Sequence, residues 1–171
     1  MSLQETSTNT QRDPRIMPPM GDFGLATVSD AFELCCLFEE FFEQSDYGKK
    51  GIAYSRQNAL GWLTRVIGNG SFPHVIARVD GKIVGVISWS MDTSFCADPI
   101  AILHTIYVTK AHRRSIIGRM LVTLAMDIAK SEGATSFSAP LASGMKEMKS
   151  LMNLFNKAGF ESSGVIMTRA I

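Results

Sequence analysis

Apolar positions along the chain recur with a helical period in some stretches and with a strand period in others. From about residue 28 to residue 67 they recur every three or four positions, which is typical of helices that bury one side. From His74 to Val108 they form short runs rich in valine and isoleucine, which favours strands. After Ile116 the helical period returns. The pattern therefore predicts helices, then strands, then helices again.

The N-terminal part of the chain predicts one strand and two helices. A short strand at Phe23–Ala26 leads into Thr27-Val28-Ser29-Asp30, a sequence typical of a helix-capping box. The first helix is expected from about Val28 to Glu43 and the second at roughly Arg56–Ile67. The polar, glycine-containing segment Gln44–Tyr54 is expected to be the loop between them.

The middle of the chain predicts three consecutive antiparallel strands. The runs His74–Val79 and Lys82–Met91 are joined by Asp80-Gly81, a dipeptide that strongly favours a two-residue hairpin turn. A third strand, Ala101–Val108, follows after a loop and is apolar on both faces apart from two central positions. Such a strand is expected to be covered on both sides.

The C-terminal part predicts two helices and two strands. In chain order they are a helix at about Ile116–Lys130, a strand at Thr135–Ala139, a helix at about Met145–Ala158 and a last strand at Val165–Ala170. The glycines at 133 and 159 are well placed to end the two helices.

The turn between the third strand of this series and the helix at Ile116 is strongly basic. No acidic residue occurs from Thr109 to Met126, whereas the turn and the first helical turn contain Lys110, His112, Arg113, Arg114 and Arg119. A helix N-terminus already presents unpaired N–H groups and a partial positive charge. Added cations are unfavourable there unless an anion binds, so the turn predicts a phosphate site. The alternative is a solvated basic turn that touches nucleic acid or only water.

Length, charge and cysteine content narrow the class of protein. The chain of 171 residues is long enough for one domain with a sizeable core, and its net charge of +1 provides no overall attraction to nucleic acid or membranes. No apolar run approaches the length of a membrane span, and the polar start resembles neither a signal peptide nor a presequence. Cys35, Cys36 and Cys96 form no disulfide framework or metal motif, which indicates reduced thiols in a cytoplasmic protein. Residues 1–21 are polar and then proline-rich, and we expect them to form a flexible arm.

The segment YVTKAHRRSIIGRML resembles the acyl-CoA pyrophosphate loop of the GNAT superfamily of N-acetyltransferases. The family pattern is Arg/Gln-x-x-Gly-x-Gly/Ala, after a strand and at the start of a helix. Arg113 and Gly118 fit this pattern, whereas Ile116 stands where the first glycine is usual. The predicted order of strands and helices is also that of the GNAT fold, from about Phe23 to the C-terminus. The resemblance implies an α/β fold in which one domain, residues 22–171, holds a mostly antiparallel sheet flanked by helices, with one parallel pair of strands splayed for CoA.

The resemblance also implies a site for acetyl-CoA as acyl donor. Carried over by position, the backbone of Ile106, Tyr107 and Val108 would line the pantetheine arm. The pyrophosphate would be wrapped by the loop residues Arg113, Arg114, Ser115, Ile116, Ile117, Gly118 and Arg119.

A base is required for acetyl transfer to an amine, because an amine with a pKa of about 10.4 must lose a proton before it can attack. The family often places a glutamate on the strand before the loop, and Ile102 stands at that position. His104 lies two residues further on and, by strand alternation, on the same face. We therefore name His104 as a candidate base. The alternative is a histidine that is hydrogen-bonded in the core.

No general acid is assigned for the departing thiolate. Many family members use a tyrosine where this chain has Phe155, which lacks a hydroxyl. Glu39, Glu40 and Glu43, at the end of the first helix, fall where the family borders the acceptor site. They would form either an acidic rim that attracts an amine or a solvated helix face.

The resulting hypothesis is an acetyl-CoA-dependent N-acetyltransferase that acts by direct attack of a primary amine in a ternary complex, without a metal. Its main rival is a degenerate member of the family that serves as a CoA-binding regulatory or interaction module, because Ile102, Ile116 and Phe155 alter three common functional positions together. Nucleic-acid binding is disfavoured by the near-neutral charge. The sequence leaves open a homodimer and the identity of the amine.

Overall fold

The structure is a computed structural model that describes residues 21–94, 97–141, 148–162 and 164. The predicted arm, except its last residue, and the predicted strand Val165–Ala170 lie outside the described residues, as does Cys96. Among the described residues, no helix is both long and apolar enough to cross a membrane.

Five strands and five helices make up the described fold. In chain order they are β1 (Asp22–Leu25), α1 (Ala31–Gln44), α2 (Asp46–Lys49), α3 (Arg56–Gly68), β2 (His74–Val79), β3 (Lys82–Asp92), β4 (Ile100–Val108), α4 (Ile117–Ser131), β5 (Ser136–Ser138) and α5 (Met148–Lys157). Short 3₁₀ turns at Val28–Asp30 and Lys110–His112 precede α1 and α4.

The short helix α2 lies inside the segment that the sequence predicts to be a loop. Ser45 is fully buried between α1 and α2, and its hydroxyl donates to the carbonyl oxygen of Phe42 at 2.6 Å. Lys49 and Asp46 form an ion pair at 2.8 Å across the single turn. These two contacts order a segment whose composition alone favours a loop.

The sheet has the strand order β1-β2-β3-β4-β5, and all neighbours except β4 and β5 are antiparallel. The hairpin predicted at Asp80-Gly81 is confirmed, because both residues have positive φ angles, of 51° and 75°, as a type I′ turn requires. The mixed, mostly antiparallel sheet with one parallel pair confirms the predicted fold class.

Helices cover both faces of this sheet. On one face, α4 and α5 pack against Trp89 and Ile87, both fully buried. On the other, α1 and α3 bury Leu34 and Leu63 against Val86. The sheet is therefore covered on both sides, as the apolar runs of its strands indicate.

The parallel pair β4–β5 is paired over a short length. Its registered pairs are Ile100 with Ser136, Ala101 with Phe137 and Ile102 with Ser138. Strand β4 continues to Val108 beyond the last of these pairs. Pairing with β5 thus ends at Ile102, opposite the last residue of β5, Ser138.

Strand β4 also contains a bulge. Ser88 on β3 is registered with Thr105, whereas the next residue, Trp89, is registered with Leu103. His104 is consequently an extra residue on β4 without a partner on β3. The bulge lies two residues beyond the last residue of β4 that pairs with β5, Ile102.

Candidate active site

A cavity of about 860 Å³ opens where β4 ends, α4 begins and α5 passes alongside. Its walls come from the last residues of β4, from the turn between β4 and α4, and from one side of α5. Leu151 and Leu154 of α5 provide an apolar wall facing this turn. The volume falls in the range of ligand-binding clefts.

The cavity brings together nearly all the residues that the sequence places in the cofactor site. Those lining it are Ile106, Tyr107, Val108, Arg113, Arg114, Ser115, Ile116, Gly118 and Arg119. Ile117 is the exception, because its side chain is only 4 % exposed and packs in the core beneath α4. Its backbone N–H donates to Ser115 Oγ, so Ile117 supports the turn rather than lining the cavity.

The charge of the cavity wall is strongly positive. The part of the wall that the structure describes contains no aspartate or glutamate. It contains six basic residues, which are Lys110, His112, Arg113, Arg114, Arg119 and Lys157. The N-terminus of α4 adds the partial positive charge of the helix dipole at the same place. The wall therefore suits a ligand that carries several phosphate charges.

The turn before α4 is held by its own hydrogen bonds. Ser115 donates its hydroxyl to the carbonyl oxygen of His112 at 2.6 Å and accepts the N–H of Ile117 at 3.2 Å. Arg114 adopts a left-handed backbone conformation, with φ at 64°. Ile116, at the position of the missing glycine, has an ordinary helical φ of −68°. The backbone therefore does not require glycine at Ile116.

Arg113 makes several contacts within the protein. Its Nε donates to the carbonyl oxygen of Val108 at 3.0 Å, and its Nη2 donates to Gln44 Oε1 at 2.7 Å. The guanidinium carbon also lies 5.4 Å from the centre of the Tyr107 ring, within cation–π range. The arginine that matches the family pattern thus connects the turn to β4 and to α1.

Tyr107 is the centre of a polar cluster that the sequence pattern did not predict. Its hydroxyl donates to Glu40 Oε1 at 2.7 Å and accepts from Gln44 Nε2 at 3.0 Å. Burial, and then the hydrogen bond to Glu40, raise the pKa of Tyr107 far above its ordinary value. The hydroxyl therefore stays protonated and remains a donor to Glu40.

A sequence signal for this cluster does exist. Glu40 and Gln44 lie at helical spacing from Leu37 and Phe41, which pack in the core of the α1 side. Two polar residues within such a stripe require buried partners. Their partners are Tyr107 and Arg113, more than sixty residues away in the chain.

His104, the candidate base, lies at the β4 bulge and is not among the residues that line the cavity. Its Nε2 shares a hydrogen bond of 2.7 Å with Ser90 Oγ, and its ring centre lies 4.8 Å from that of Phe72. Partial burial lowers the pKa of His104 below its ordinary value. The imidazole is therefore neutral near pH 7 and able to accept a proton.

Phe155 does not face the cavity. It is 3 % exposed, and its ring packs edge to face on Phe160 with centres 4.9 Å apart. Asn153 of the same helix does line the cavity. The wall that α5 contributes therefore has no phenolic hydroxyl.

The acidic side chains at the end of α1 are largely paired. Glu39 forms an ion pair with Arg56, and Glu40 is bound to Tyr107. Glu43 is exposed. The structure therefore favours neither a strongly acidic rim nor a purely solvated face.

The chain matches the family model described as the acetyltransferase (GNAT) family over residues 32–160. A search of curated proteins found no match.

Among solved structures, the chain is similar to the aminoglycoside N-acetyltransferase AAC(6')-Iy in complex with CoA, at 15 % identity, a TM-score of 0.71 and coverage of 88 % of this chain and 94 % of the other. It is similar to the aminoglycoside acetyltransferase HMB0005 from an uncultured soil metagenomic sample, at 18 % identity, a TM-score of 0.69 and coverage of 88 % and 98 %. It is also similar to a transcriptional regulator from Bacillus halodurans C-125, at 16 % identity, a TM-score of 0.71 and coverage of 88 % and 99 %. At these identities the similarity concerns the fold.

Proposed function

Because the chain belongs to the GNAT family of acetyltransferases, we propose that it transfers an acetyl group from acetyl-CoA to a primary amine. The observation that carries this proposal is the cavity at the end of β4, where the described residues of the wall include six basic side chains and no carboxylate. CoA carries a pyrophosphate, and a wall of this charge at a helix N-terminus is suited to it.

The cofactor is held, in this proposal, by two parts of the site. The backbone of Ile106, Tyr107 and Val108 lines the pantetheine arm, where β4 has no partner in β5. Backbone N–H groups between Arg113 and Arg119, other than that of Ile117, which is bonded to Ser115, bind the pyrophosphate. The exposed side chains of Arg114 and Arg119 neutralise its charge.

The reaction is direct attack in a ternary complex. The amine nitrogen forms a bond to the carbonyl carbon of the thioester, the carbon–sulfur bond breaks, and CoA leaves as the thiol. The proton lost by the amine passes to His104, directly or through water. Partial burial lowers the pKa of His104, so its neutral form is available near pH 7. The thiolate takes its proton from water.

Calorimetric titration with acetyl-CoA and, separately, with CoA tests the proposal. Micromolar binding, about −8 kcal/mol, is expected for the wild type. Arg119→Glu reverses a charge on the cavity wall and should weaken that binding at least tenfold. Arg65→Glu makes the same change on exposed α3, away from the cavity, and should bind as the wild type does. Absence of binding by the wild type would refute the proposal.

The rival function is a CoA-binding module without catalysis. Phe155 is buried and Ile102 cannot act as a base, and both observations favour this rival. A screen of primary amines with acetyl-CoA, monitored by release of free thiol, separates the two functions. Binding without thiol release above background for any amine would support the module, whereas amine-dependent release would support the enzyme.

A further inference from the structure

The side chain of Arg113 is committed to contacts inside the protein, although it stands at the position of the family arginine. We propose that Gln44 of α1 is a positioning residue for the turn that binds the CoA pyrophosphate, and that it acts through Arg113. This inference rests on the proposed function, since it assumes that CoA binds at this turn.

The connection from α1 to the turn is a continuous chain of hydrogen bonds. Gln44 Oε1 accepts from Arg113 Nη2 at 2.7 Å. Gln44 Nε2 donates to the hydroxyl of Tyr107 at 3.0 Å and to Glu40 Oε1 at 3.2 Å. The amide of Gln44 is therefore oriented by Glu40 and Tyr107, and its oxygen is presented to the guanidinium.

Arg113 transmits this orientation to the backbone of the turn. Its Nε donates to the carbonyl oxygen of Val108, so the side chain is held at both ends of the guanidinium. Arg114, the next residue, has the left-handed φ of 64° that turns the chain toward α4. A non-glycine residue keeps such a conformation only where the surroundings hold it. Arg113 and the bonds of Ser115 to His112 and Ile117 provide that support.

Loss of the Gln44 oxygen should loosen the turn without unfolding it. The hydrogen bond is charge-assisted and only partly exposed, so it is stronger than an ordinary surface contact. The bond from Arg113 to Val108 and the bonds of Ser115 would remain. The effect should therefore fall on the pyrophosphate end of the site, while the β4 backbone that lines the pantetheine arm is unchanged.

Gln44→Met tests this inference, because methionine matches the length of glutamine and favours a helix but lacks the amide. Gln57→Met is the matched control, since Gln57 is exposed on α3 and does not line the cavity. Acetyl-CoA binding is measured by calorimetry. Binding of S-acetylpantetheine, which lacks the pyrophosphate, is measured by NMR titration. We expect Gln44→Met to weaken acetyl-CoA binding about tenfold, a loss typical of a hydrogen bond to a charged group, and to leave S-acetylpantetheine binding and the control unchanged.

A double-mutant cycle shows whether Gln44 acts through Arg113. Arg113→Lys keeps the charge but cannot bond to Val108 and Gln44 together. If Gln44 acts through Arg113, the double variant should bind acetyl-CoA no more weakly than Arg113→Lys alone.

Each remaining outcome overturns a specific statement. Unchanged acetyl-CoA binding in Gln44→Met, equal weakening of both ligands, or additive losses in the cycle would each refute the positioning role while leaving the proposed function intact. A wild type that binds neither ligand would refute the proposed function, and the positioning role with it.

Discussion

At the scale of single residues, the proposed mechanism depends on His104, the bulge residue of β4. If it accepts the amine proton, His104→Gln should lower turnover by about 10²–10⁴-fold with little change in acetyl-CoA affinity. Steady-state kinetics with an amine from the screen, together with calorimetry, measure both. Ser90→Ala removes only the hydrogen-bond partner of His104 and should have a smaller effect. Equal turnover in His104→Gln would remove His104 from the mechanism.

The pH dependence of the rate follows from the direction of the His104 pKa shift. Partial burial disfavours the charged imidazolium and lowers the pKa of His104. A base acts in its neutral form, so the rate should be full near pH 7 and should fall only below about pH 6.5. A plot of kcat/KM against pH measures this limb, and its loss in His104→Gln is expected.

The residues of the turn explain how the loop is formed without its first glycine. The left-handed conformation that glycine would favour occurs at Arg114, whereas Ile116 is helical. The family pattern is therefore altered at a position where the backbone is ordinary. Isoleucine in place of glycine at position 116 should therefore disturb the loop backbone less than the family pattern alone suggests.

At the scale of elements, α5 turns Phe155 into the core and away from the cavity. Phe155→Tyr would restore the residue usual in the family, but its hydroxyl would enter an apolar cluster that includes Phe160. We expect a loss of about 1–3 kcal/mol in the free energy of unfolding and no gain in turnover. Urea denaturation and kinetics measure the two quantities. Raised turnover with unchanged stability would show that this position reaches the thioester.

The position of α4 on the sheet depends on a glycine in β3. A side chain at Gly85 would begin 3.1 Å from Leu121 Cδ1 and 3.2 Å from Ile117 Cγ2, closer than ordinary packing allows. Gly85→Val should therefore lower the free energy of unfolding by about 1–3 kcal/mol and weaken acetyl-CoA binding by displacing the start of α4. Gly24→Val is the control, because nothing lies within 4 Å of a side chain there. Equal unfolding midpoints for the two variants would contradict this account of the packing.

The succession of elements could be predicted from the sequence because each depends on local patterns. The Asp80-Gly81 turn and the apolar stripe of α4 determine their own conformations. The helix α2 could not be predicted, because it depends on the burial of Ser45 between α1 and α2. The bulge at His104 is a matter of register between β3 and β4, and composition does not encode it directly.

Part of the candidate site could also be predicted from local patterns, and part could not. The basic turn is contiguous in sequence, so most of its cavity residues could be named from one segment. The contacts of Arg113 with Gln44, and of Tyr107 with Glu40, join α1 to residues far along the chain. A single sequence shows that Glu40 and Gln44 fall on a buried stripe but does not show what they meet.

At the scale of the whole molecule, positive charge is concentrated rather than spread. The chain has a net charge of +1, yet six basic residues line one cavity. Acetyl-CoA binding should therefore weaken as NaCl rises from 50 to 500 mM, because salt screens the phosphate contacts.

A fluorescent DNA duplex at 150 mM NaCl should show no binding by anisotropy, since no extended basic surface is expected at this net charge. Tight binding of DNA, with CoA able to displace the DNA, would instead indicate that the basic turn is a nucleic-acid site.

The neighbouring thiols of α1 can be used to measure how often α1 and α3 separate. Cys36 is exposed, whereas Cys35 is fully buried and its sulfur contacts the Tyr54 hydroxyl and the carbonyl oxygen of Arg56, at the start of α3. A thiol reagent should therefore modify Cys36 first, and Cys35 only when α1 and α3 separate. Mass spectrometry of the Cys96→Ser variant would follow both modifications. The delay between them would report how often α1 and α3 separate.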